Sequence, residues 1–140
     1  MTGASTPGVI QRWIRAINER DVEGAVACFT LDYLDESPAH PNRTFRGQDA
    51  VRRNLSAFFS GVPNLRAEIL RSVADRDSVW VEWRMYGAQT DGTRLNMIGV
   101  TIFEVRDDRI ASGRFYEEPI EEAGGTIADA LADMAGQRPT

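Results

Sequence analysis

Residues 78–118, SVWVEWRMYGAQTDGTRLNMIGVTIFEVRDDRIASGRFYEE, constrain the fold more than any other part of the chain. They read as three consecutive antiparallel strands, 78–87, 95–105 and 109–117, joined by two tight turns. Asp91-Gly92 supplies the turn chemistry of the first reversal, and Arg106-Asp107-Asp108 marks the second. The middle strand is rich in β-branched and aromatic residues. Side chains of a strand alternate faces, so Trp80, Glu82, Arg84 and Tyr86 share one side and Val79, Val81, Trp83 and Met85 the other. Nearly every position is apolar or an unusual charge, so the sheet is expected to be covered on both faces.

The rest of the chain supplies helices for such a sheet. Thr6 is a suitable N-cap with Pro7 at the first helical position, followed by an amphipathic stripe of Ile10, Trp13, Ile14 and Ile17. Asp21 caps a short second helix with Val22, Ala25, Val26 and Phe29 on its apolar side, and Cys28 there is expected to pack rather than react. Residues 33–37 read as a short strand placing Tyr33, Asp35 and Ser37 on one face. A loop, 38–46, carries the lone histidine, His40, between two prolines, where a solvated surface role is the ordinary one. A third helix spans 47–59, with Val51, Leu55, Phe58 and Phe59 inward and Arg52 and Arg53 solvated; a strand at 65–73 pairs with 78–87. After Pro119, Thr126 and Asp129 form a capping-box pattern before Ile127, Leu131 and Met134. The order is helix, helix, strand, helix, then four strands. Three helices on the concave face of a curved antiparallel sheet give an α+β cone with a pocket at its mouth.

At 140 residues the chain is read as one domain, 1–140, with 1–5 and 136–140 as disordered ends. A net charge of −5 with scattered arginines argues against nucleic acid and against an anionic membrane surface. One cysteine excludes a disulfide framework within the chain and a cysteine metal cluster. There is no glycine-rich phosphate loop, no spaced histidine pair and no nucleophile elbow, so phosphate-cofactor, zinc-enzyme and serine-hydrolase readings fall away. With no signal-peptide pattern and no membrane-length apolar run, a cytoplasmic protein is expected.

The segments VIQRWIRAINERDVEGAVACF, FRGQDAVRRNLSAFF and IGVTIFEVRDDRIASGRFYEEP resemble the SnoaL-like branch of the nuclear transport factor 2-like superfamily. That resemblance implies a curved sheet with polar groups on its concave face, chemistry without cofactors, and homodimers formed through the outer sheet face. Polyketide cyclases, limonene epoxide hydrolase, ketosteroid isomerase and dehydratases belong to it. Most of their site residues are changed here. The isomerase general base, oxyanion tyrosine and protonated aspartate fall at Ser37, Trp13 and near Thr101. In the epoxide hydrolase set, the arginine aligns with Glu82 and the first aspartate with Arg84, so the charges are exchanged. The second aspartate aligns with Phe115, and the water-holding pair with Asp35 and Ser37.

On that alignment the concave face carries Tyr33, Asp35, Ser37, Glu82, Arg84, Tyr86, Thr101 and Glu117. Its apolar lining would be Trp13, Trp80, Met97, Phe103 and Phe115. Carboxylates crowded in an apolar cup are pushed toward neutrality while an arginine holds its partner ionised, which gives one site both an acid and a base. Asp35 is expected as the base, with Glu82 and Arg84 paired to orient water or steady an oxyanion, and Glu117 as a second acid or a mouth charge. Glu82 and Arg84 equally fit a structural ion pair or an outer-face contact, and Tyr33 and Tyr86 equally fit core aromatics.

The functions these expectations favour are cyclisation, isomerisation or dehydration of a small apolar oxygenated molecule by acid–base catalysis. Epoxide hydrolysis is the close variant, and non-catalytic binding of an apolar ligand the rival. Protein recognition would require an exposed apolar patch, and none is legible in the sequence.

Overall fold

The computed structural model describes residues 6–136; the expected disordered leader and residues 137–140 of the expected tail lie outside that range. Helix α1 (Gly8–Glu19) has Pro7 as its N-cap, one residue later than the sequence pattern placed it. The Thr6 hydroxyl is instead 2.6 Å from that of Ser72. The helix ends at Arg20, which takes the left-handed conformation with φ 56°. Asp21 caps α2 (Val22–Val26) by accepting from the Gly24 amide at 2.9 Å.

Strand β1 (Phe29–Glu36) begins before the expected short strand. A 3-10 turn (Pro41–Arg43) and a two-residue strand, β2 (Phe45–Arg46), precede α3 (Gln48–Gly61). Four long strands follow: β3 (Arg66–Asp75), β4 (Ser78–Ala88), β5 (Arg94–Arg106) and β6 (Arg109–Pro119). The β5–β6 reversal places Asp107 and Asp108 at φ 52° and 61°, the two left-handed residues that a tight hairpin turn needs. Helix α4 (Ile127–Met134) carries the Thr126–Asp129 capping box in both directions.

The strands form one sheet in the order β2-β1-β6-β5-β4-β3. Every pairing is antiparallel except β1 with β6. That parallel pair matters for the site, because it carries the short β1 segment into register with the end of the meander, Asp35 opposite Gly113.

The core lies between the sheet and α1–α3. Ile10, Trp13, Ile14 and Ile17 of α1 are buried, as are Val79, Val81 and Trp83 of β4. The apolar alternate set of β4 therefore faces the helices. The opposite face is not covered, contrary to the expectation of a sheet buried on both sides. Val73 is 63% exposed, Trp80 49% and Tyr116 43%. An exposed apolar patch is thus present although no contiguous stretch of sequence announced it; it is assembled from three strands.

Candidate active site

The site begins at the end of β1. Tyr33 points inward and is fully buried, and its hydroxyl donates to Asp35 Oδ2 at 2.8 Å. The two side chains lie on the same face because they are two residues apart on one strand. Room for the phenol comes from β6. A methyl group added at Gly113 would stand 2.9 Å from the Tyr33 hydroxyl and 3.0 Å from the Phe115 ring, so only glycine lets that hydroxyl sit there. Ser37 follows, buried, at the strand's end.

These groups line a cavity of about 490 Å³ between the sheet and the helices. Trp13, Trp83, Phe115 and Phe58 supply much of its apolar wall, and Glu117 joins Asp35 as its second carboxyl group. Arg43 of the 3-10 turn and Asn54 of α3 complete the lining. A larger cleft of about 800 Å³ opens on the sheet beside Arg84, Tyr86 and Arg94, away from Tyr33 and Asp35.

Burial is the main cause that pushes the Asp35 carboxyl up to about 7. The Tyr33 hydrogen bond pulls it back, and the charges of Glu117 and Glu36 push it further. Burial also raises Glu117, opposed by the positive charges of Arg43 and His40. Tyr33 is held well above its ordinary range, first by burial and then by Asp35, so it remains a hydroxyl donor. The arrangement is a carboxyl group poised near neutrality, oriented by a phenol and facing a second carboxyl group in apolar surroundings. Such a group can take a proton and return it.

Among the sequence candidates, the structure brings together Trp13, Tyr33, Asp35, Ser37, Phe115 and Glu117. Phe103 and Thr101 face the same side but are fully buried beneath the cavity wall. Phe103 packs edge-on against Trp13 and Phe115, with centroids 5.3 and 5.9 Å apart. Thr101 accepts a hydrogen bond from the Trp83 indole at 2.8 Å. Met97 stands opposite Met85 on the same face, at the open end of the sheet.

Trp80, Glu82, Arg84 and Tyr86 are corrected: they lie on the opposite face. Side chains of a strand alternate faces, and in β4 the buried alternates are Val79, Val81 and Trp83, which leaves these four pointing away from the helices. On the outer face Glu82 pairs with Arg71 at 3.1 Å. Arg84 approaches Glu68 at 3.7 Å, donates to Asn96 at 3.0 Å and stacks over Tyr86. Exposed pairs of this kind contribute little to stability. The signal that could have prevented the error was present: Val79, Val81, Trp83 and Met85 are the uniformly apolar alternates. Trp83, Asn54 and Arg43 were missed for the same reason or because they sit on other elements. Among the described residues no cluster of three or more metal-binding side chains forms.

The model of the SnoaL-like domain matches residues 10–113. This chain belongs to the SnoaL-like family. Its fold is that of the nuclear transport factor 2-like superfamily, as the solved structures agree. A Catenulispora acidiphila protein of ketosteroid isomerase-like fold, solved with trimethylamine, superposes with TM-score 0.72 at 18% identity, covering 80% of this chain and 86% of that one. An epoxide hydrolase of Mycobacterium tuberculosis, like limonene epoxide hydrolase, gives 0.70 at 20% identity over 91% and 93% of the two chains. A second M. tuberculosis protein, solved with estradiol-17beta-hemisuccinate, gives 0.67 at 18% identity over 77% and 89%. No curated protein matches the chain. At these identities the likeness establishes the SnoaL-like fold alone. No helix among the described residues is long and apolar enough to cross a membrane.

Proposed function

We propose that this SnoaL-like protein is a cofactor-independent acid–base enzyme that isomerises, cyclises or dehydrates a small apolar oxygenated molecule. The observation that carries this reading is the Asp35 carboxyl group, poised near 7, held by Tyr33 and facing Glu117 inside an apolar cavity. Asp35 is the base that removes a proton from the substrate. Glu117, whose hold on its proton is strengthened by burial, is the acid that supplies one to a developing oxyanion. Tyr33 keeps Asp35 in one orientation. Epoxide hydrolysis, the activity named in one neighbour's description, is compatible with such a site.

The test is incubation of the purified protein with a metabolite extract, read by untargeted mass spectrometry, with Asp35→Asn as control. Conversion at constant mass by wild type alone means isomerisation or cyclisation, and loss of one water means dehydration. A gain of one water that carries the label of heavy-oxygen solvent means epoxide hydrolysis. Metabolites retained without conversion support the binding-only alternative, and equal conversion by the control rules Asp35 out.

A homodimer is part of the same proposal. Val73, Trp80 and Tyr116 form an apolar outer face that a second copy would cover. Trp80→Asp is expected to turn a dimer into a monomer, measured by sedimentation velocity. A dimer unaffected by that change would place the interface elsewhere.

A further inference from the structure

Besides Asp35 and Glu117, the candidate cavity carries polar side chains at its solvent edge. Trp13 and Trp83 in its wall are buried, whereas Arg43 and Asn54 are exposed at its rim. Arg43 is the one basic side chain that lines it. Other arginines, such as Arg12, Arg52, Arg106 and Arg114, hold carboxylates within 3.4 Å. Among the described residues Arg43 forms no ion pair, and neither its guanidinium nor the Asn54 amide has a side-chain hydrogen-bond partner.

Nor is Arg43 on a loose loop. The His40 amide donates to the Ser37 carbonyl at 2.7 Å, Arg43 to His40 at 2.9 Å and Thr44 to Pro41 at 3.1 Å. The turn is thereby tied to the end of β1, just beyond Asp35. Glu117 lies close enough to feel the charges of both Arg43 and His40 without pairing to either.

A guanidinium presents a planar fork of donors that matches a carboxylate, and an amide adds another donor. One cation and one neutral donor balance a single negative charge. We propose that Arg43, assisted by Asn54, anchors the carboxylate of an amphipathic substrate whose apolar body fills the cavity toward Asp35. This inference rests on the reading of the cavity as a substrate site, and it narrows the substrate to an apolar monocarboxylic acid.

Decanoate and decanol share an apolar chain and differ in head group, and Trp13 and Trp83 report occupancy by fluorescence. Decanoate is expected to bind wild type about five- to tenfold more tightly than decanol, the worth of a charge-assisted hydrogen bond at a partly solvated rim. Arg43→Met should remove that preference by weakening decanoate alone, Asn54→Ala should reduce it, and Asp35→Asn should keep it. Equal binding of the two ligands to wild type, or a preference that survives Arg43→Met, overturns the proposal. If neither ligand perturbs the fluorescence, the mouth assignment falls, while conversion in the metabolite experiment still judges the acid–base reading separately.

Discussion

Asp35→Asn is expected to abolish turnover and at the same time make the protein more stable. The loss should lie at about 100-fold or beyond, the usual contribution of a positioned acid–base group. The gain follows from linkage. In the unfolded chain the carboxyl group titrates near its ordinary value of 3.8; in the fold it is raised to about 7. Between those limits the native state holds the extra proton, so stability falls as pH rises from about 4 to about 7, and the full cost applies above that.

That difference corresponds to at most about 4 kcal/mol, and partial solvent access reduces it to about 1–3 kcal/mol. Asparagine keeps an oxygen for the Tyr33 hydroxyl and carries no charge to bury. Thermal unfolding of the two proteins across pH 4–8 checks the point. The variant's advantage should be largest at the alkaline end and vanish toward pH 4. A variant that is less stable throughout would show that Asp35 is not held at a cost, and would leave no stored strain for catalysis to use.

The architecture was legible because its signals are local. Alternation in residues 78–117, the turn residues Asp91-Gly92 and Asp107-Asp108, and the stripe Ile10, Trp13, Ile14 and Ile17 each act within a few residues of themselves. Tyr33, Asp35 and Ser37 were legible as a set for the same reason. The β4 residues were misplaced because register between distant segments is a tertiary property, and Glu82 and Arg84 invite a catalytic reading that their own strand's alternation contradicts. Gly113 and Arg43 were not legible at all. The importance of Gly113 exists only once β6 lies beside β1 in parallel register, and that of Arg43 only once the 3-10 turn folds back on the end of β1.

Gly113→Ala should strike the site without touching any group that reacts. The added methyl would meet the Tyr33 hydroxyl at 2.9 Å and the Phe115 ring at 3.0 Å, and a buried phenol cannot swing aside as a surface lysine could. Overpacking of this kind costs about 1–3 kcal/mol. Moving the hydroxyl would also weaken the bond that holds the Asp35 carboxyl down. The acid limb of the pH–rate profile should therefore shift to higher pH, and turnover should fall about tenfold or more as the base loses its orientation. Tyr33→Phe separates the two effects. It removes the oxygen that the methyl would strike, so adding Gly113→Ala in that background should cost less stability than it does in wild type. It should nevertheless show the same alkaline shift by itself. A double-mutant cycle of unfolding free energies, together with pH–rate profiles of the four proteins, measures both. Additive stability losses would mean that the methyl clashes with something other than the phenol, and an unshifted profile in Tyr33→Phe would mean that the hydroxyl does not govern Asp35.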